Sequence, residues 1–203
     1  FAYQDFGTFL AAAIRDRLES SPIEYRSPNE TIRATVIGAG TQTTSFSGTT
    51  VSLDEDALPL RNLPVVEASL TAADCGALAA EVCGRLEHGL ALYEIQQLAG
   101  LALALPDVGS LSYDRMQTLA QALTQGYADA GYGHRQLPVV IVLRQNCAKA
   151  LAQCLRATSS ELSPLVVIDE IAASDGDYLD IGEPLLSNQT VPVVVKSLAF
   201  GSQ

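Results

Sequence analysis

The chain has 203 residues, 48% of them hydrophobic, no tryptophan, and a formal net charge of −11. Its basic side chains are two lysines, Lys149 and Lys196, and ten scattered arginines. Nucleic acid and anionic membrane surfaces are therefore excluded as expected partners, because phosphate-backbone binders gather Lys and Arg on one face.

No run reaches the roughly 18 uninterrupted apolar residues of a membrane-crossing helix. The opening "FAYQDFGTFL" has neither the basic start nor the cleavage pattern of a secretion signal. It has no initiator Met and reads as the start of a piece of something longer. Thr8 to Ser20 is expected to be helical, because Phe9, Leu10, Ala13, Ile14 and Leu18 recur at helical spacing and Thr8 can cap them. "SSPIEYRSPNE" is a proline-marked connector. Residues 1–30 are read as a lead-in and 31–203 as the main lobe.

Ile32–Gly38 and Thr43–Leu53 are predicted strands of an opening antiparallel hairpin, with a kink or bulge at Ser47-Gly48. Between them lies Gly38-Ala39-Gly40-Thr41, almost without side chains. Glycine lets the backbone bend into conformations closed to other residues and approach another object closely. Successive amides in such a turn can converge on an anion, and Thr41, Thr43 and Thr44 add hydroxyls. A tight hairpin needing glycine only for its turn fits the same residues. The stretch matches neither the dinucleotide fingerprint nor the Gly-Lys-Ser/Thr phosphate loop.

Val65–Leu70 is a short predicted strand, followed by helices at about 72–87 and 89–98. "LAGLALALPDVGS" reads either as a helix end or as a buried strand before Pro106. Asp114–Tyr127 is a helix, and 72–130 is a candidate helical subdomain. Leu137–Leu143 is an unalternating apolar run of the kind buried on both faces. "RQNCAKALAQCLRA" supplies the next helix and "SPLVVIDEI" a further buried strand. Short β runs punctuated by Gly176, Gly182 and Pro184 close the chain. The order favours an α/β fold with a mixed sheet.

Cys75, Cys83, Cys147 and Cys154 show no zinc-motif spacing. Seven or eight residues along a helix, about 10–12 Å, separate each pair too widely for a disulfide. His88 and His134 have no Ser or Cys beside them to form a nucleophile pair. Asp169, Glu170, Asp175, Asp177 and Asp180 form an acidic cluster without calcium-loop spacing. A solvated face is its expected role. Asn146 and Lys149 open the helix after the most buried strand, at a carboxyl strand end where α/β sheets collect ligands. They are candidates for a nucleotide's base or ribose side, with N-capping by Asn146 as the structural alternative. "GDYLDIGEPL" shares its glycines with the hairpin turn of biotinyl and lipoyl carriers, but Lys196 lies inside a Val-rich run rather than at a turn, so no covalent attachment is expected.

A strand, Gly-rich turn and strand with threonines resembles the second phosphate-binding hairpin of the actin/Hsp70/sugar-kinase ATPases. "RATVIGAGTQTTSFSGTTV", "LPLRNLPVV", "LPVVIVL" before "NCAKALAQCLR", and "DGDYLDIGEPL…VPVVVKSLAF" together resemble the C-terminal half of the ethanolamine ammonia-lyase reactivating factor family. The resemblance runs from Phe1 to Phe200. It implies an actin-like (ribonuclease H-like) ATPase lobe and a chaperone that uses ATP with Mg²⁺ to release damaged cobalamin from ethanolamine ammonia-lyase. The cobalamin belongs to that partner. The resemblance also implies an N-terminal half that completes the nucleotide cleft, a cytoplasmic location, and association with a bacterial microcompartment. It assigns the phosphates to Gly38, Ala39, Gly40, Thr41, Thr43 and Thr44. No residue of the chain is expected to be catalytic or to ligate a metal itself. Two positions depart from the superfamily pattern. Val36 stands where an Asp usually helps hold the metal, and Arg144-Gln145-Asn146 stands where a Gly-Gly turn usually meets adenosine. An interaction lobe that docks on the lyase without nucleotide and a small-molecule kinase are the alternatives.

Overall fold

The computed structural model describes residues 7–20, 41–46, 52–54, 57–93, 100–135, 137–160, 162–185 and 190–197. The chain divides into two compact units, Phe1–Gly38 and Ala39–Gln203. In the first, the expected helix is α1, Gly7–Glu19. The predicted strand Ile32–Gly38 lies outside the described residues.

The second unit is α/β. Its strands are β1 (Thr41–Phe46), β2 (Ser52–Leu53), β3 (Leu60–Glu67), β4 (Leu101–Leu105), β5 (Val139–Leu143), β6 (Leu165–Ile168), β7 (Tyr178–Ile181) and β8 (Pro192–Ser197). Its helices are α2 (Cys75–Leu92), α3 (Tyr113–Asp129) and α4 (Ala148–Thr158). The sheet order is β1-β8-β7-β3-β4-β5-β6-β2. Strands β3 to β6 are parallel and consecutive, whereas β1, β8 and β7 run antiparallel beside β3.

The one predicted strand 43–53 is two strands here. β1 pairs with β8 and β2 with β6, at opposite edges of the sheet. Residues 72–130 hold α2, β4 and α3, with β4 in the middle of the parallel sheet.

Side-chain size decides which face of the parallel strands meets which layer. In β4, Leu101, Leu103 and Leu105 enter the core beneath the helices, while Ala102 and Ala104 turn to the opposite core. β5 divides likewise, with Val139, Ile141 and Leu143 on the helix side and Val140 and Val142 on the other. Burial on both faces is why neither strand alternates apolar with polar residues. The opposite core also takes Leu179, Ile181, Val193 and Val195 from β7 and β8, so the antiparallel half extends the face turned away from α2, α3 and α4. β3 serves both halves. Asn62, at φ 54, marks a register shift between Leu60 and Leu63, and the bulge lets both leucines enter one core despite their odd spacing.

The expected break at 88–89 is absent, since one helix, α2, runs continuously to Leu92; the expected end at 98 lies outside the described residues. Gly89 is a contact point rather than a stop: a Cβ there would lie 2.7 Å from Val66 and 2.8 Å from Leu101. Asp74 caps α2 by accepting from the Ala77 N–H at 2.9 Å, and Ser112 caps α3 by accepting from Arg115 N–H at 3.3 Å.

At the end of α3, Tyr127 and Tyr132 meet edge to face, 4.8 Å between ring centres. The Tyr127 hydroxyl donates to the Val140 carbonyl at 3.4 Å. The buried Tyr132 hydroxyl has no hydrogen-bond partner among the described residues. Removing an unmatched buried hydroxyl relieves its desolvation cost, so Tyr132→Phe is expected to raise unfolding stability by about 1 kcal/mol in urea titration. A loss of stability would show that the hydroxyl is paired.

Candidate functional site: the carboxyl rim of the sheet

Strand registers place the start of β1 at the same end of the sheet as the carboxyl ends of the parallel strands. Thr41 stands opposite Ser197 at the start of β1. Lys196, beside it, stands opposite Tyr178 of β7, and Tyr178 opposite Pro64 of β3. β3 then runs on to Glu67, level with Ala104, and Leu105 is level with Leu143. The start of β1 therefore shares a rim with the carboxyl ends of β3, β4, β5 and β6. Gly38, Ala39 and Gly40 lie outside the described residues. Thr41, Thr43 and Thr44 are in β1, and Thr44 is exposed.

Asn146 and Lys149 are exposed at the same rim, flanking the start of α4. They do not adjoin β1 within the sheet. Five steps separate β1 from β5 in the strand order, about 24 Å on a flat sheet. The sheet is curled rather than flat.

Three side chains to which sequence reading gives no role at the rim tie it together. Arg115 donates from Nε to the Val108 carbonyl at 3.1 Å, from Nη1 to Ala72 at 3.1 Å, and from Nη2 to Leu70 at 2.8 Å. One guanidinium thus joins the segments that follow β3 and β4. Gln145 accepts from the Val108 N–H at 2.8 Å and donates to the Gly109 carbonyl at 3.3 Å, linking in the segment after β5. Asp169, directly after β6, accepts from the Ala148 N–H at 2.8 Å. Ala148 is the first residue of α4, whose N-cap is Cys147 without a side-chain bond of its own kind. Asp169, not Asn146, supplies the cap.

The other expected cluster residues have separate tasks. Asp175 pairs with Arg85 and accepts from the Glu67 N–H at 2.7 Å. Asp177 accepts from the Ser174 N–H at 2.9 Å. Asp180 accepts from the Asn62 N–H at 2.8 Å and pairs with Lys196 at 2.6 Å, pinning the β3 bulge. Glu170 is exposed. Among the described residues no three His, Cys, Asp or Glu side chains converge as a metal site. His88 and His134 are exposed, on α2 and in a short 3-10 turn.

The four cysteines are free thiols. Burial, and then the Asp169 carboxylate, raise the Cys147 thiol from 9.0 to about 11. A folded chain that keeps this proton after the unfolded chain has lost it binds more protons between those values. The resulting stability is full below pH 9 and is lost as pH rises through about 11. Thermal melts of wild type and Cys147→Ala over that window are the check, with the steeper decline expected in wild type. Parallel curves would remove Cys147 from the linkage.

A separate groove of about 600 Å³ runs between α3 and α4, over Met116, Gln117, Gln121, Gln153, Cys154 and Ala157. Exposed Leu111 and Tyr113 stand at its edge, and its lining carries no charged side chain. A polyanion would find no counter-charge there.

The second unit is thus an α/β lobe with a mixed sheet, and its cross-tied loops meet at one rim. The model of the family described as "Ethanolamine utilisation protein EutA" matches residues 1–201, and the chain belongs to that family. It is 40% identical over its whole length to the ethanolamine ammonia-lyase reactivase EutA of Salmonella typhimurium, and 38% identical to that of Escherichia coli K12. The chain spans 41% of the length of each relative, as their C-terminal part. No solved structure gives a significant match. No helix among the described residues is long and apolar enough to cross a membrane.

Proposed function

We propose that the chain is the C-terminal lobe of an ATP-dependent factor that reactivates ethanolamine ammonia-lyase by releasing damaged cobalamin. The relatives' names support reactivation of that lyase. Nucleotide use rests on one observation: the register that starts β1, just after Gly38-Ala39-Gly40, at the same rim as the exposed Asn146 and Lys149. In this reading the lobe is actin-like and forms one wall of a cleft completed by the N-terminal part of the full-length protein. Main-chain amides of residues 38–41 and the threonine hydroxyls hold the phosphates, and Asn146 and Lys149 meet the base or ribose. In this reading Mg²⁺ arrives on the nucleotide. Hydrolysis changes the contacts made with each wall, and closure of the lobes acts on the lyase as a hinge does.

Gly40→Val in the full-length protein tests the site. It is expected to abolish Mg-ATP binding by calorimetry while leaving the circular dichroism spectrum unchanged. Equal affinity in wild type and variant would refute the assignment. The uncharged groove between α3 and α4 favours a second reading, a lobe that docks on the lyase without nucleotide. Reactivation that proceeds undiminished without ATP would establish it.

A further inference from the structure

Asp169 is the one charged side chain fully buried among the described residues. Burying a carboxylate is costly, and an apolar replacement of similar volume often serves stability as well or better. Capping alone does not call for it. α2 and α3 are capped locally, by Asp74 and Ser112 at their own N-termini. α4 instead draws its cap from the neighbouring strand, across the sheet. The residue beside its start, Asn146, is thereby released from capping and faces solvent.

The short segment from β5 to α4 is consequently fixed on both sides of Asn146. Before it, Gln145 is bound at 2.8 Å and 3.3 Å to the main chain of Val108 and Gly109. After it, Ala148 is bound at 2.8 Å to Asp169. The Cys147 thiol donates back to the Gln145 carbonyl at 3.6 Å, closing the segment on itself. Asn146 is the exposed member of a segment whose neighbours are held. Asp169 also fills the positive end of α4 with its own carboxylate, so this helix end is no anion site.

We propose that Asp169 and Gln145 are positioning residues that hold Asn146 ready for a nucleotide's base or ribose, acting from opposite sides of one segment. This rests on the nucleotide reading above. A segment held before binding forfeits less freedom on binding, and loosening its support lowers affinity without removing a contact.

The test is Mg-ATP calorimetry on the full-length protein, at a temperature where each variant is folded. Asn146→Ala and Gln145→Ala are each expected to raise Kd on the order of tenfold. Asp169→Ala is expected to do the same, and Asp169→Asn, which keeps an oxygen to accept from Ala148, to recover most of that loss. Because both supports act through Asn146, combining either with Asn146→Ala is expected to add little further loss. Fully additive losses, or wild-type affinity in Gln145→Ala, would overturn the proposal. Gln145 is partly exposed, so its variant decides the matter if Asp169→Ala does not fold. A wild-type protein that binds no nucleotide would instead sink the nucleotide reading itself, and this inference with it.

Discussion

Gly126→Ala is expected to destabilise the lobe by about 2–3 kcal/mol, although alanine is the better helix former. Gly126 sits in α3 where that helix crosses α2. A Cβ there would lie 2.6 Å from Val82 Cγ1 and 2.9 Å from the Ala79 carbonyl oxygen. Neither obstacle can easily give way. Val82 is wholly buried in the core beneath the helices, and the Ala79 carbonyl belongs to the α2 backbone. The helices must separate, and the Leu119, Leu123 and Leu86 packing around them opens with them. Propensity alone predicts the opposite sign, a gain of about 1 kcal/mol. Urea unfolding separates the two by direction. Adding Val82→Ala removes the Cγ1 contact but neither the 2.7 Å contact with the Cβ of residue 82 nor the carbonyl, so the double variant should recover at most a small part of the loss. A Gly126→Ala chain as stable as wild type would show that the crossing is looser than these distances state.

The same glycine shows what the sequence could reveal of the fold. Gly126 and Gly89 lie in Ala- and Leu-rich stretches, and nothing local distinguishes a helix-ending glycine from one that lets two elements touch. That ambiguity is why a break near 89 was expected and none occurs. β5 and β6 were legible because double burial removes alternation. β4 was ambiguous because "LALAL" suits a helix equally well, and only its parallel pairing to β3 and β5 settles it. The β1–β8 pairing joins residues about 150 apart in sequence, and no local periodicity encodes such a partner.

For the candidate site, the sequence names residues and not their arrangement. Asn146 and Lys149 were found from the rule about carboxyl strand ends, and both do lie at that end. Their relation to the start of β1 takes five successive strand registers. Asp169 carries a weak signal, an acidic residue set directly after the apolar run "LVVI", which the acidic neighbours at 170, 175, 177 and 180 disguise as a solvated face. Gln145 was noticed only as a departure from a Gly-Gly turn. Arg115 carried no signal at all. Nothing in its neighbourhood separates it from nine other arginines.

Arg115 nevertheless has the largest expected effect among the polar residues. Its three donors satisfy the carbonyls of Leu70, Ala72 and Val108, on two segments separated in sequence by α2 and β4. Hydrogen bonds from a charged group contribute about 1.5–3 kcal/mol each, and water recovers part of that where it can enter. Arg115→Ala is therefore expected to cost about 3 kcal/mol. Arg115→Lys should be nearly as harmful, because one ammonium on a flexible stem cannot meet three carbonyls arranged around a planar fork. The consequence should spread along the rim. Val108, whose carbonyl Arg115 holds, also donates its N–H to Gln145, so losing Arg115 loosens the anchor of the segment that carries Asn146. Amide exchange at Val108 is the sensitive readout. It should accelerate in Arg115→Ala well beyond the change in global stability, while amides of β5 follow the global value. A variant that unfolds at the wild-type urea midpoint, with Val108 still protected, would mean that the guanidinium merely decorates a rim already rigid without it.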